Sequence, residues 1–479
     1  MRQVTIDQAL QLALNKQRAG RLQEAESICR QILLVQPEHG VALNVLGQIL
    51  SQAGRKDEAI SVYRKAVASN PEYVEANGNL GSALAEMGDI DQAIASFQRA
   101  LALKPDFAGV SFNLGNAWME KGEIDKAIAC FADALCHESN NADIFNNLGN
   151  AWVAKRDFAK AEECFGKAIA AQPNNALANL SRSTLMLLQG DFERGLPLYE
   201  WRRRSAGIDL PNHLLKTEWD GSDLAGRRIL IHPEQGFGDA IMCSRYIPLL
   251  AKLGGRVILM VRPELRRLMG CLDSIEQLIT PTDPVPGYDV QCPIMSLPLR
   301  FKTTLRTIPV GIPYLKSDVE LKRQWQARLP SDGRLKVGLA TVGRRFPDPH
   351  RTAPASTLGP LFELDGIWFC SVQKSVDSTS LDYPITDYSG ELLDFADTAA
   401  LMDNLDLIIT IDSASAHLSG ALGKPTWVML KNVPDWRWML DRTDSPWYPT
   451  MRLFRQPKLG DWKSVISQVA GALTEQFRF

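Results

Sequence analysis

Two short segments set acidic and small residues where a strand gives way to a helix. The first is His232-Pro233-Glu234-Gln235-Gly236-Phe237-Gly238-Asp239-Ala240. Gly236 and Gly238 permit a tight turn with close backbone approach, and a helix is expected to begin near Asp239. The third glycine of a dinucleotide fingerprint is missing, and Asp239 is equally suited to an ordinary helix N-cap. The second is Thr410-Ile411-Asp412-Ser413-Ala414-Ser415-Ala416-His417-Leu418, followed by Gly420, Gly423, Lys424 and Pro425. A strand ending at Asp412 and a small-residue helix starting at once would leave the amides of Ser413, Ala414 and Ser415 facing outward, as phosphate oxygens require. Against this stands a plain structural reading, with Asp412 as a cap and His417 as a core histidine. For His417 the core reading is preferred, and for the Asp412-Ser413 helix start ligand binding is preferred. Cations lie between the two segments, with Arg344, Arg345, His350 and Arg351 after one expected strand and Gln373-Lys374 after another. Cations just past strand ends suit a diphosphate, Lys374 first and Arg351 second. Asp435-Trp436-Arg437-Trp438 and Ser445-Pro446-Trp447-Tyr448-Pro449 are rich enough in aromatics to flank a nucleotide base, or to pack as a core.

Positioning these residues requires strands alternating with helices. Short β-rich runs at 228–232, 256–261, 335–341, 367–372, 405–411 and 426–430 read as strands of parallel βαβ units. The polar stretch 316–333 reads as a helix at the junction of two Rossmann-like halves, at 206–325 and 326–479. Ligands of such folds bind outside the carboxyl ends of the strands.

Ahead of this region runs a period of 34 residues. Leu12, Leu46, Leu80, Leu114 and Leu148 share one phase, and Ala13, Gly47, Gly81, Gly115 and Gly149 share the next. Ala25, Ala59, Ala93, Ala127 and Ala161 hold a third, and Cys29, Tyr63, Phe97, Phe131 and Phe165 a bulkier one. Pro37, Pro71, Pro105 and Pro173 close four units, and Ser139 stands in for proline in the other. Small residues let the two helices of a hairpin approach, the aromatic fills the gap, and proline stops the second helix. The pattern resembles tetratricopeptide (TPR) repeats from about Ile6 to Asn175. A degenerate sixth unit, ending near Trp201, is expected to cap the array or couple it to the α/β region, so the helical region is set at 1–205. Asn79, Asn113 and Asn147 share a phase, with Asn116 and Asn150 three residues on. They are solvated helix residues or a binding ladder; asparagine is costly inside helices, which favours the ladder. The resemblance implies that such ladders grip an extended peptide on the concave face.

The bulk properties exclude several classes. A net charge of -2 gives no global field for nucleic acid or anionic membrane. Eight scattered cysteines form no C-x-x-C pair and no zinc-like spacing, which fits a reducing, cytoplasmic setting without a metal. No apolar run approaches the ~18 residues of a membrane span.

The order Glu234-Gln235-Gly236-Phe237-Gly238-Asp239, then Ser371-Val372-Gln373-Lys374, then Asp394-Phe395-Ala396-Asp397-Thr398-Ala399, then Asp412 to Leu418, resembles the family 9 glycosyltransferases from 209 to 479. The resemblance implies an α + α/β chain in which a TPR solenoid precedes a GT-B pair of Rossmann-type domains. It implies an inverting, metal-independent transfer from a nucleotide-diphosphate sugar as co-substrate. Asp239 would be the base, which calls for partial burial to raise its proton affinity. Gly236, Gly238, Lys374, Arg351, Asp412, Ser413, Ala414 and His417 would hold the donor. The fused array, with Asn79, Asn113, Asn116, Asn147 and Asn150, favours a protein or peptide acceptor, whereas the family 9 likeness favours a saccharide acceptor. One departure is Thr341-Val342-Gly343-Arg344, where relatives often carry Trp-x-Gly-Asn. Two other readings remain: a TPR scaffold whose α/β half binds without chemistry, and a nucleotide-sugar epimerase.

Overall fold

The computed structural model describes residues 5–205, 216–343, 348–374 and 383–477, and the chain divides into two compact units, Met1–Ala178 and Asn179–Phe479. The first unit is a solenoid of five helical hairpins. Their helices are Ile6–Arg18 and Leu22–Val35, Gly40–Gln52 and Lys56–Ser69, Val74–Met87 and Ile90–Leu103, Ala108–Lys121 and Ile124–His137, and Ala142–Ala154 and Phe158–Ala171. Each second helix stops two residues before Pro37, Pro71, Pro105 or Pro173, and the fourth stops at the same place before Ser139.

The small and aromatic phases meet inside each hairpin. A Cβ placed on Gly47, Gly81, Gly115 or Gly149 would lie 2.4, 2.6, 2.5 or 2.5 Å from the ring of Tyr63, Phe97, Phe131 or Phe165. Those rings are buried, so they have nowhere to retreat. Gly115→Ala is therefore expected to cost about 1–3 kcal/mol through overpacking. Thermal unfolding should show the loss, and Phe131→Leu in the same chain should recover part of it. An additive double variant would refute the contact.

A second period appears at the end of the first helices. Gly20, Gly54, Gly88, Gly122 and Gly190 turn there with φ of 73, 79, 83, 81 and 87°. At the same phase Arg156 holds φ 63° with a side chain attached. Arg156→Gly should relieve roughly 0.5–1 kcal/mol of left-handed strain and raise the melting temperature slightly. A lower melting temperature would mean that the arginine side chain outweighs the strain.

The second unit opens with the sixth hairpin, whose helices are Ala176–Leu188 and Phe192–Tyr199. Its turn packs on the α/β region: a Cβ on Gly190 would meet Leu305 and Met439 at 2.8 and 2.9 Å. Two parallel sheets come next. The first joins β1 (Arg228–His232), β2 (Arg256–Met260), β3 (Ile275–Ile279) and β4 (Val290–Pro293) in the order β3-β2-β1-β4. The second joins β5 (Leu335–Ala340), β6 (Ile367–Ser371), β7 (Ile385–Thr386), β8 (Leu407–Ile411), β9 (Thr426–Leu430) and β10 (Met451–Arg455) in the order β10-β9-β8-β5-β6-β7. The sequence pattern does not reveal β3, β4, β7 and β10. The helix expected over 316–333 is shorter, Val319–Gln326, and lies between the two sheets in the chain. Buried strand faces (Val337, Leu339, Ile409, Met429) pack on Trp462, Val465, Ile466 and Val469 of the C-terminal helix. Strand order reverses between β1 and β4 in one sheet and between β5 and β8 in the other, the crevices where ligands settle in open α/β sheets.

Candidate functional site

The carboxyl end of β1 carries the first motif. The helix Phe237–Cys243 starts with Gly236 as its N-cap, so Asp239 is not the cap but the third helical residue, and its Oδ2 accepts the Gly236 amide at 2.8 Å. Its Oδ1 accepts from Nη2 of Arg437, which lies beyond β9. Asp239 is half-buried and ion-paired to Arg437, a partner that no local motif signals. Arg437 is 6% exposed and also donates to Asp435 Oδ1 at 2.7 Å. Burial opposes its charge, but Asp435 and Asp239 outweigh that and hold the guanidinium cationic.

The second motif lies just past β8. Ser413, not Asp412, is the N-cap of the helix Ala414–Ala421, and no side chain caps that helix. Asp412 is thus not tied up as a cap. Burial, and then the neighbouring Asp435, push its carboxyl up from the ordinary 3.8 to about 6, with the Trp438 indole and then Arg437 and Arg351 pulling the other way. Ser413 Oγ lies 3.2 Å from Thr410 Oγ1.

The two motifs touch. A Cβ on Gly238 would lie 2.6 Å from His417 Cδ2 and 3.4 Å from Ala414 Cα, so glycine here permits two helix starts to pack side by side. His417 is 5% exposed, bonds Tyr448 OH through Nδ1 at 2.9 Å and stacks on Trp438 with ring centroids 5.3 Å apart. Burial, with the nearby Arg437 and Arg245, holds its pKa well below 6.5, so the ring is neutral at pH 7. These surroundings match the core histidine anticipated from its local sequence.

The other residues expected to hold a donor differ in their surroundings. Arg351 runs along Gly343, where a Cβ would meet its Nε at 2.6 Å. Lys374 is exposed. Gln373 Oε1 accepts the Val342 amide at 3.1 Å and ties the ends of β5 and β6 together. Arg344 and Arg345 lie outside the described residues. Trp436, Trp438, Trp447 and Tyr448 are at most 3% exposed, so this aromatic segment forms a core rather than an open base-binding surface.

In the first unit the in-phase asparagines are half-buried, and three of them bond to polar side chains of the preceding repeat. Asn79 Nδ2 donates to Asn44 Oδ1 at 2.9 Å, Asn113 to Ser82 Oγ at 3.3 Å and Asn147 to Asn116 Oδ1 at 2.7 Å. Each rung joins one repeat to the preceding one, which gives the asparagine periodicity a role inside the solenoid. Among the described residues no group of three His, Cys, Asp or Glu side chains is placed to hold a metal ion, and no helix is long and apolar enough to cross a membrane.

Four family models, each described as tetratricopeptide repeat, match residues 5–72, 57–95, 79–143 and 142–175. The first unit is a TPR array, and a parallel-sheet α/β region lies after it in the chain. Protein FlbA of Caulobacter vibrioides is 26% identical over 332 residues, covering 63% of this chain and 55% of its own length. The chain thus spans about half of that relative. Because 63% of the chain exceeds the 178 residues of the first unit, the likeness reaches into the α/β region. Similar solved structures include MamA, at 25% identity and TM-score 0.33 over 36% of this chain and 93% of its own. YrrB, described as a TPR protein with an unusual peptide-binding site, is similar at 24% and 0.33 over 36% and 90%. Pseudomonas aeruginosa pilF is similar at 21% and 0.38 over 42% and 92%.

Proposed function

We propose that the α/β region binds a nucleotide-diphosphate sugar and transfers its sugar, with inversion and without a metal, to a protein or peptide acceptor recruited by the TPR array. The observation that carries this reading is the convergence of two strand-order switch points, with Gly238 packed on Ala414 and Asp239 paired with Arg437. The uncapped start of the helix Ala414–Ala421 offers amides to phosphate oxygens. Arg437 already faces Asp239; an incoming diphosphate would compete for the guanidinium and release Asp239 to accept the acceptor's proton. Arg351, which acts on Asp412, supplies further positive charge for the leaving group, and exposed Lys374 is the second cation assigned to it in this proposal. The in-phase asparagines keep unused amide hydrogen-bonding capacity on half-buried faces, which suits an extended peptide.

A second reading, a TPR scaffold whose α/β region binds nucleotide without transfer, is favoured by the pairing of Asp239 with both Gly236 N and Arg437. A thermal-shift screen of the full chain against nucleoside diphosphates and their sugars addresses both readings. A ligand of the native state at a hundred times its Kd adds about 2.7 kcal/mol of stability. A selective shift with one donor, together with transfer lost in Asp239→Ala but binding retained, is the expected result. Binding without transfer would leave the scaffold, and no shift with any donor would remove the nucleotide reading altogether. Alanine at the in-phase asparagines should impair a peptide acceptor and leave a free saccharide acceptor untouched.

A further inference from the structure

The turn between β1 and its helix is held in a costly shape. Gln235 sits at φ 55°, a region that side-chain-bearing residues avoid, and it persists only if the surroundings over-determine it. Three groups do so. Arg262 Nη2 donates to Gln235 O at 2.6 Å, with its guanidinium 5.2 Å from the Phe237 ring. Tyr199 OH donates to Gln235 Oε1 at 3.3 Å. Arg202 pairs with Glu234 through Nη2 at 2.6 Å and Nε at 3.2 Å.

Two of the three are Tyr199, at the end of the sixth hairpin, and Arg202, which opens the short helix Arg202–Ser205 directly after it. Arg202 is 1% exposed, and besides Glu234 it donates to Glu200 at 2.6 Å and to Ser296 Oγ, beyond β4, at 2.7 Å. Glu234 accepts the Met295 amide at 3.2 Å, so this buried cluster links the turn after β1 to the turn after β4 across the switch point. The same hairpin reaches the other sheet. Phe192 and Tyr199 pack on Trp436 at 5.8 and 5.7 Å, and Arg437, the partner of Asp239, stacks on that indole at 4.6 Å.

We infer that Tyr199 and Arg202, at and just after the end of the last hairpin of the repeat series, are positioning residues that hold the Pro233–Asp239 turn in its strained, ligand-ready shape. The hairpin is then a working part of the site and not a cap. This deepens the nucleotide reading and rests on it for its biological use, but the positioning itself is a property of the free protein.

The test separates the two. Hydrogen exchange of the full chain without ligand is compared for the native protein, Tyr199→Phe and Arg202→Lys. Tyr199→Phe keeps the ring on Trp436 and removes only the hydroxyl, so protection of the hydrogen-bonded Gly236 and Ala240 amides should fall about fivefold, the effect of one ordinary hydrogen bond, with the strands unaffected. Arg202→Lys keeps the charge and loses the fork, and should have a larger effect at the same amides. Gln235→Gly, which removes the strain, should restore protection in the Tyr199→Phe chain. ADP, UDP and GDP then serve as binding probes. If one binds the native protein, Tyr199→Phe should weaken it severalfold and Gln235→Gly should rescue it. Unchanged exchange at the turn, or an equal loss everywhere, overturns the positioning role. Loss confined to the turn with no probe bound leaves positioning intact and instead counts against the nucleotide reading.

Discussion

Arg437→Met should destabilise the chain by about 3–5 kcal/mol, the usual result of removing one partner from a buried charge cluster. Arg437 is 6% exposed and serves at least two carboxylates, Asp239 and Asp435, while also acting on Asp412. Methionine fills much of the space of the arginine stem, so the loss is one of charge and hydrogen bonds more than of volume. For a unit of this size the melting temperature should drop by roughly 10 °C. Two controls distinguish this from a packing defect. Asp239→Asn in the Arg437→Met chain should return part of the loss, because an amide is cheaper to bury alone than a carboxylate. Lowering the pH towards 4 should narrow the gap between variant and native protein as Asp412, which Arg437 helps to keep ionised, takes up its proton. A deficit that stays constant with pH and ignores Asp239→Asn would show that the arginine acts through packing alone.

That cluster also marks the boundary of what the sequence discloses. The helical repeats are readable because each contact partner recurs every 34 residues, so the facing of Gly115 and Phe131 repeats at Gly81 and Phe97. β1 and β9 are readable because they are continuous apolar runs, as strands buried on both faces must be. β3 hides because Glu276 and Gln277 are exposed on an edge strand, and β4 because its short run Val290-Gln291-Cys292-Pro293 ends in proline. Gln291 in β4 is itself a clue visible only in the fold, since its buried amide bonds His232 Nε2 at 2.9 Å. The two motifs of the site could be found locally, from glycines and small residues at helix starts. The pairing of Asp239 with Arg437 could not, since 198 residues separate them and no periodicity links them. The asparagine ladder shows the converse case. Its period is plain, but its rungs join repeat to repeat, and a single-helix reading gives only the face and not the neighbour.

Asp412→Asn should stabilise the free protein at neutral pH, an unusual direction for a change at a half-buried polar position. The folded-state carboxyl titrates near 6 against an ordinary 3.8, chiefly through burial and the negative charge of Asp435. With the folded pKa raised above the unfolded one, its favourable contribution is complete below pH 3.8 and disappears as pH rises through 6. At pH 7.5 the ionised carboxylate is therefore a burden, worth at most about 3 kcal/mol from that displacement and closer to about 2 once the partial solvent access of the side chain is allowed for. The neutral amide removes that burden, so the Asn variant should melt higher than the native chain at pH 7.5 and match it near pH 4. Equal or lower stability at pH 7.5 would mean that Arg351 and Arg437 compensate the charge in full. A residue that lowers stability in place is kept for something other than folding. Asp412 stands at the switch point between β5 and β8, beside an uncapped helix start, and on the function proposed above that use is contact with a ligand. A carboxyl titrating near 6 can exchange a proton with a hydroxyl group at ordinary pH. Asp412→Asn should then be more stable and bind or turn over the ligand less well, with the two effects sharing one pH dependence.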